Sequence, residues 1–77
     1  PRVMRFAAIS GVVYRHAVLL ALDGDGRAAE RQLARAARVY PADLPAAIKL
    51  MGEVAVQHPA ELGPLIKLAL ALHAERR

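Results

Sequence analysis

The chain has 77 residues, no cysteine and a formal net charge of +4, and 56% of it is hydrophobic. A body of this size holds one domain, and a single core below about 80 residues supplies only a few kcal/mol of net stability. Without cysteine there is neither a disulfide scaffold nor thiolate chemistry, and a palette rich in Ala and Leu, with one Phe, two Tyr and no Trp, favours close-packed helices, so an all-α fold is expected.

The first helix is expected from Arg2 to Leu22, where Phe6, Ile9, Val13, Ala17 and Leu20 recur three or four residues apart. A spanning helix needs about 20 predominantly apolar residues, and Arg15 and His16 interrupt this one, which favours a buried helix over a membrane anchor. A signal peptide is disfavoured because no small-residue cleavage site follows Val18 to Leu22. Asp23-Gly24-Asp25-Gly26 marks the helix end, since glycine takes the positive φ that turns the chain, and Asp25 is placed to cap the next helix.

The second helix is expected from Gly26 to Val39. Ala29, Leu33, Ala36 and Tyr40 fall on one side of it, and Arg27, Arg31, Arg35 and Arg38 fall within about 80° of one another on the opposite side. Pro41 ends it, because the residue before a proline is pushed out of the helical region. A third helix starts at Asp43 or Leu44 with Pro45 in its first turn and closes at His58-Pro59; Leu44, Ile48, Met51 and Val54 or Ala55 form its apolar stripe, and Lys49, Glu53 and Gln57 its wet one. A fourth opens near Pro59 or Pro64 and runs through Leu65, Ile66, Leu68, Ala69, Leu70 and Leu72; Gly63-Pro64 leaves its start open. Connections of about four to six residues make successive helices antiparallel neighbours, giving two stacked helical hairpins in one domain over residues 1–77.

Several chemistries can be weighed against this frame. Asp23-Gly24-Asp25-Gly26 resembles the opening of a calcium loop, but the positions that need a ligand oxygen, a glycine and a glutamate hold Arg27, Ala28 and Ala34. His16, His58 and His73 fall on different helices or their ends without ligand spacing, so no metal is expected. Ser10 is the only serine, there is no threonine, and neither a nucleophile elbow nor a phosphate-cradling loop occurs; no catalytic residue, cofactor or small-molecule substrate is expected. Residues 1–40 carry seven Arg against Asp23, Asp25 and Glu30, while residues 41–77 balance four basic with four acidic groups. An anionic partner would therefore meet Arg27, Arg31, Arg35 and Arg38, although a solvated face is the simpler account of them. With no aromatic interleaved to stack bases, nucleic acid is disfavoured; a membrane surface remains open.

Gly24-Asp25, Ala29, Leu33, Ala36 and Pro41, with Ala17 before them, resemble one tetratricopeptide hairpin, in which small residues let two helices approach closely. Val13 stands where that repeat has an aromatic, His16 where it has a leucine, and residues 44–77 do not repeat the pattern. Taken whole, Leu19-Leu20-Ala21-Leu22-Asp23-Gly24-Asp25, Ala29-Glu30-Arg31-Gln32-Leu33, Ala36-Ala37-Arg38-Val39-Tyr40-Pro41 and His58-Pro59-Ala60-Glu61-Leu62-Gly63-Pro64-Leu65 resemble the C-terminal soluble domain of bacterial membrane-bound O-antigen polymerases and pilin O-oligosaccharyltransferases. The resemblance implies a non-catalytic accessory or interaction domain, a fragment of a larger protein of the bacterial inner membrane, as a chain beginning at Pro1 also suggests. In that family the glycosyl-transfer chemistry resides elsewhere in the protein, so no catalytic residue carries over. The alternative is a free-standing tetratricopeptide-like adaptor for a peptide or an anionic partner such as nucleic acid. The fourth helix is either a buried central helix or a docking surface, with Leu65, Leu68 and Leu72 as candidate contacts. The expected partner is a second copy, meeting the fourth helix or the outer side of the first, or else the membrane part of the parent protein.

Overall fold

The computed structural model describes residues 9–76, all of whose regular structure is helical. Four α-helices follow in order: α1 (Gly11–Leu22), α2 (Gly26–Val39), α3 (Leu44–Ala55) and α4 (Pro59–Glu75), with a 3₁₀ turn at Pro41–Asp43 between α2 and α3. The part of the expected first helix before Ile9 lies outside the described residues. Ile9 and Ser10 form a wider helical turn leading into α1. The Ser10 hydroxyl makes no capping bond there. It donates instead to Oδ2 of Asp43 at 2.6 Å, across 33 positions of sequence.

The chain leaves α1 through a Schellman arrangement. The Asp25 amide reaches back to the carbonyl of Leu20 and the Gly24 amide to that of Ala21, both at 3.0 Å, and Gly24 takes φ +86°. Asp25 then caps α2 by accepting the Ala28 amide on Oδ1 at 3.2 Å. These local bonds account for all of Asp23-Gly24-Asp25-Gly26 as a hairpin turn. At the far end of α2 the Tyr40 amide closes on the Ala36 carbonyl at 2.7 Å before Pro41 diverts the chain.

Asp43 precedes α3 but makes no capping bond with its side chain, its carboxylate being engaged by Ser10. The helix ends at Ala55, and the Gln57 and His58 amides both still reach the Val54 carbonyl before His58, ahead of Pro59, leaves the helical region. His58 occupies the residue before α4 without capping it through its ring. Of the two openings left by the sequence, α4 takes Pro59 and runs unbroken through Gly63-Pro64. Pro64 cannot donate to the Ala60 carbonyl, so one helical hydrogen bond is missing there. Gly63 eases the fit, since it has no Cβ to strike the proline ring that follows.

The α1–α2 and α3–α4 pairs pack as hairpins, and α4 also lies against both α2 and α1. The core comprises Tyr14, Ala17, Val18 and Ala21 from α1, Ala29, Leu33, Ala36 and Ala37 from α2, Leu44, Ala47 and Met51 from α3, and Leu62, Leu65 and Ala69 from α4. Alanine fills seven of these fourteen positions, so the helix axes come close and an added methylene has nowhere to go. One expectation changes. The buried stripe of α1 is centred on Tyr14 rather than Val13, with Val13 and Leu20 only partly covered and Ile9 exposed. The reason lies in Tyr14, whose ring fills the space beside α2 and whose hydroxyl donates to the Tyr40 carbonyl at 2.7 Å, with the Ala36 carbonyl at 3.3 Å. Of the two roles left open for α4, the buried one holds for most of its apolar side chains: Leu65 is only 2% exposed, and Ile66, Leu68 and Leu72 pack against the core, while Leu70 stays 51% exposed.

Candidate interaction surface

On α4, Leu65 is an interior residue and Leu68 and Leu72 are half-buried, so these three do not form an open docking patch. Of the buried central helix and the docking surface left open by the sequence, α4 takes the first with these residues, packing against α1, α2 and α3. Of the six large apolar side chains open to solvent among the described residues, three lie on α1 and the turn before it, Ile9 at 48% exposed, Val12 at 55% and Leu19 at 60%, while Val39, Val56 and Leu70 sit singly on other elements. At about 100° per residue, Val12 and Leu19 lie roughly half a turn from the buried Tyr14 and Ala21, with exposed His16 between them on the same ridge. The outer side of α1 therefore carries an apolar row that nothing in the described chain covers.

The four arginines of α2 are all exposed, as the helical period requires, but they do not share one environment. Arg27 borders a hollow of about 310 Å³ that Glu30 and Glu61 also line. Arg38 borders another of about 250 Å³ with Glu75 and Arg76. Arg31 and Arg35 face a third, a groove of about 340 Å³ between α1 and α2 whose other lining residues are His16, Leu20, Ala28 and Gln32. No carboxylate lines this third groove, so the charge of Arg31 and Arg35 is unanswered locally. Their spacing adds to the effect, since like charges at i and i+4 on a helix repel. Gln32 fixes the wall of the groove by donating its side-chain amide to the Val13 carbonyl at 3.3 Å.

Elsewhere the titratable groups are dispersed. His16, His58 and His73 fall on α1, before α4 and at the end of α4, and among the described residues no three His, Cys, Asp or Glu side chains converge. Among the described residues, too, no helix is long and apolar enough to cross a membrane. The Tyr14 hydroxyl is pushed up to about 12, first by burial and then by the negative charge of Asp43, with Arg76 opposing. That shift belongs to a group locked into the α1–α2 contact. The sequence identified the arginine row because it repeats on one helix. The outer side of α1 is one of the two contact faces the sequence suggests, but which of its side chains stay open depends on contact with the other helices, because α1 is hydrophobic on more than one side. Comparison with family models, with curated proteins and with solved structures finds no match to this chain.

Proposed function

We propose that this chain is a non-catalytic accessory domain of a membrane-bound glycan polymerase or O-oligosaccharyltransferase of the bacterial inner membrane, with the outer face of α1 and α2 as its contact face in the assembled parent. Two things support the reading: the resemblance of residues 19–65 to the soluble C-terminal domain of such enzymes, and the open row of Ile9, Val12 and Leu19 over a core that is already closed. The second observation carries it, because aliphatic side chains aligned on one helix ridge find their use in contact.

The chain contains no cysteine, so single cysteines report its contacts cleanly. Val12→Cys and Leu19→Cys, in an otherwise cysteine-free full-length protein in its membrane, should be protected from a water-soluble maleimide, while Val56→Cys, at a position 80% exposed in the α3–α4 turn, should label fast. In the isolated chain all three should label alike. Equal labelling in both settings would remove the docking reading. Sedimentation equilibrium of the isolated chain tells whether a second copy can occupy the same face.

A further inference from the structure

We infer that the outer face of α1 and α2 docks on an anionic bilayer surface, with Ile9, Val12 and Leu19 entering the interface and Arg31 and Arg35, beside His16, holding lipid phosphate. This rests on the reading of that face as the contact face and names its partner. On α2, Arg31 and Arg35 stand about half a turn from buried Leu33, as Val12 and Leu19 do from buried Tyr14 and Ala21 on α1. Both helices thus turn the same side outward, and they meet along the groove that His16, Arg31 and Arg35 line. Helices of 12 and 14 residues lying side by side make a face about 20 Å long, broad enough to lie on a plane.

Charge and polarity together select the occupant. A second copy would bring the uncompensated Arg31 and Arg35 towards their own equivalents, which an anionic surface neutralises instead. Nucleic acid would answer the charge but leave Val12 and Leu19 without a use, and the face has no aromatic side chain on which bases could stack. An anionic bilayer answers both, since basic groups at the headgroups beside aliphatic groups at the acyl boundary are how a protein surface lies on a membrane. The guanidinium fork also suits phosphate, which it can bind through two parallel hydrogen bonds.

Flotation of the 77-residue chain with phosphatidylcholine vesicles, with and without phosphatidylglycerol, tests this. Binding is expected only with phosphatidylglycerol, and it should weaken as salt rises from roughly 0.05 to 0.5 M. Arg31→Ala/Arg35→Ala should weaken it about thirtyfold, at the usual contribution of a basic side chain near an anionic surface. Leu19→Ser should weaken it about tenfold while leaving the salt dependence in place. All these residues are exposed, so the variants should keep the parent's circular dichroism. Equal binding to neutral vesicles, or no loss in the arginine variant, would overturn the proposal. So would binding of polyglutamate or duplex DNA as tight as that of the vesicles, which would give the face to an acidic polymer. Inorganic phosphate should not displace the protein from vesicles; displacement at millimolar concentration would make the groove a site for the free ion. If vesicles are not bound while Val12 and Leu19 remain protected in the full-length protein, the lipid assignment falls and the contact face stands.

Discussion

Tyr14 links sequence to fold most directly at the scale of single residues. Its ring is fully buried, and its hydroxyl satisfies the Tyr40 carbonyl just beyond the last turn of α2, where carbonyls lack helical partners. Tyr14→Phe should cost about 0.5 to 1.5 kcal/mol in denaturant unfolding, because that carbonyl loses the shorter of its two hydrogen bonds and keeps only the Asp43 amide at 3.2 Å. The neutral phenol is the form the fold favours, so the unfolded state loses its proton first as pH rises. Stability from this group is present in full below pH 10, the ordinary value, and is lost as pH climbs towards about 12. In Tyr40→Phe, where Tyr14 is the only tyrosine, near-ultraviolet absorbance should report ionisation near pH 12 or at unfolding; a midpoint near 10 with the fold intact would contradict the burial. Ala29 and Ala36, both fully buried, are the sites where size matters most. Replacing either with Leu should cost about 1 to 3 kcal/mol by overpacking, and a variant as stable as the parent would mean that the hairpin seam is looser than described.

At the scale of elements, glycine and proline act differently according to the backbone they occupy. A Cβ at Gly24 or at Gly52 would meet no atom within 4 Å, so space does not distinguish the two sites. Conformation does. Gly24 holds φ +86° at the end of α1, and Gly24→Ala should cost about 1 to 2 kcal/mol. Gly52 lies exposed inside α3, and Gly52→Ala should raise stability by about 0.5 to 1 kcal/mol. Gly63 looks equivalent to Gly52 but precedes Pro64 within α4, so Ala there should gain less, its Cβ meeting the proline ring. Thermal unfolding of the three variants checks the order Gly52→Ala above Gly63→Ala above Gly24→Ala. Signals of this kind were legible in the sequence: the turn at Asp23-Gly24-Asp25-Gly26, the stop at Pro41 and the span of α2 all follow from what neighbouring backbone atoms permit.

For the whole molecule, the two hairpins are not independent bodies. Leu62, Leu65 and Ala69 of α4 belong to the same core as Leu33 and Ala36 of α2, and the Ser10–Asp43 bond joins the start of α1 to the turn before α3. Helices of 12 and 14 residues are marginal in water by themselves. A fragment of residues 1–43 should therefore lose most of its helical circular dichroism, and a cooperative melt matching that of the full chain would show that the first hairpin folds alone. The amino-acid sequence by itself determined the helical class, the order of four helices, the ends of α2 and the exposure of Arg27, Arg31, Arg35 and Arg38, since each depends on propensity, capping or period within one segment. Tertiary structure alone decided that Tyr14 rather than Val13 faces inward, that α4 buries Leu62, Leu65 and Ala69 while leaving Leu70 open, and that Arg31 and Arg35 share a carboxylate-free groove with His16 while Arg27 and Arg38 do not. The physical reason is that α1 and α4 are apolar on several sides, so their own periodicity is satisfied by more than one orientation, and the choice falls to whichever fills the space between the other helices.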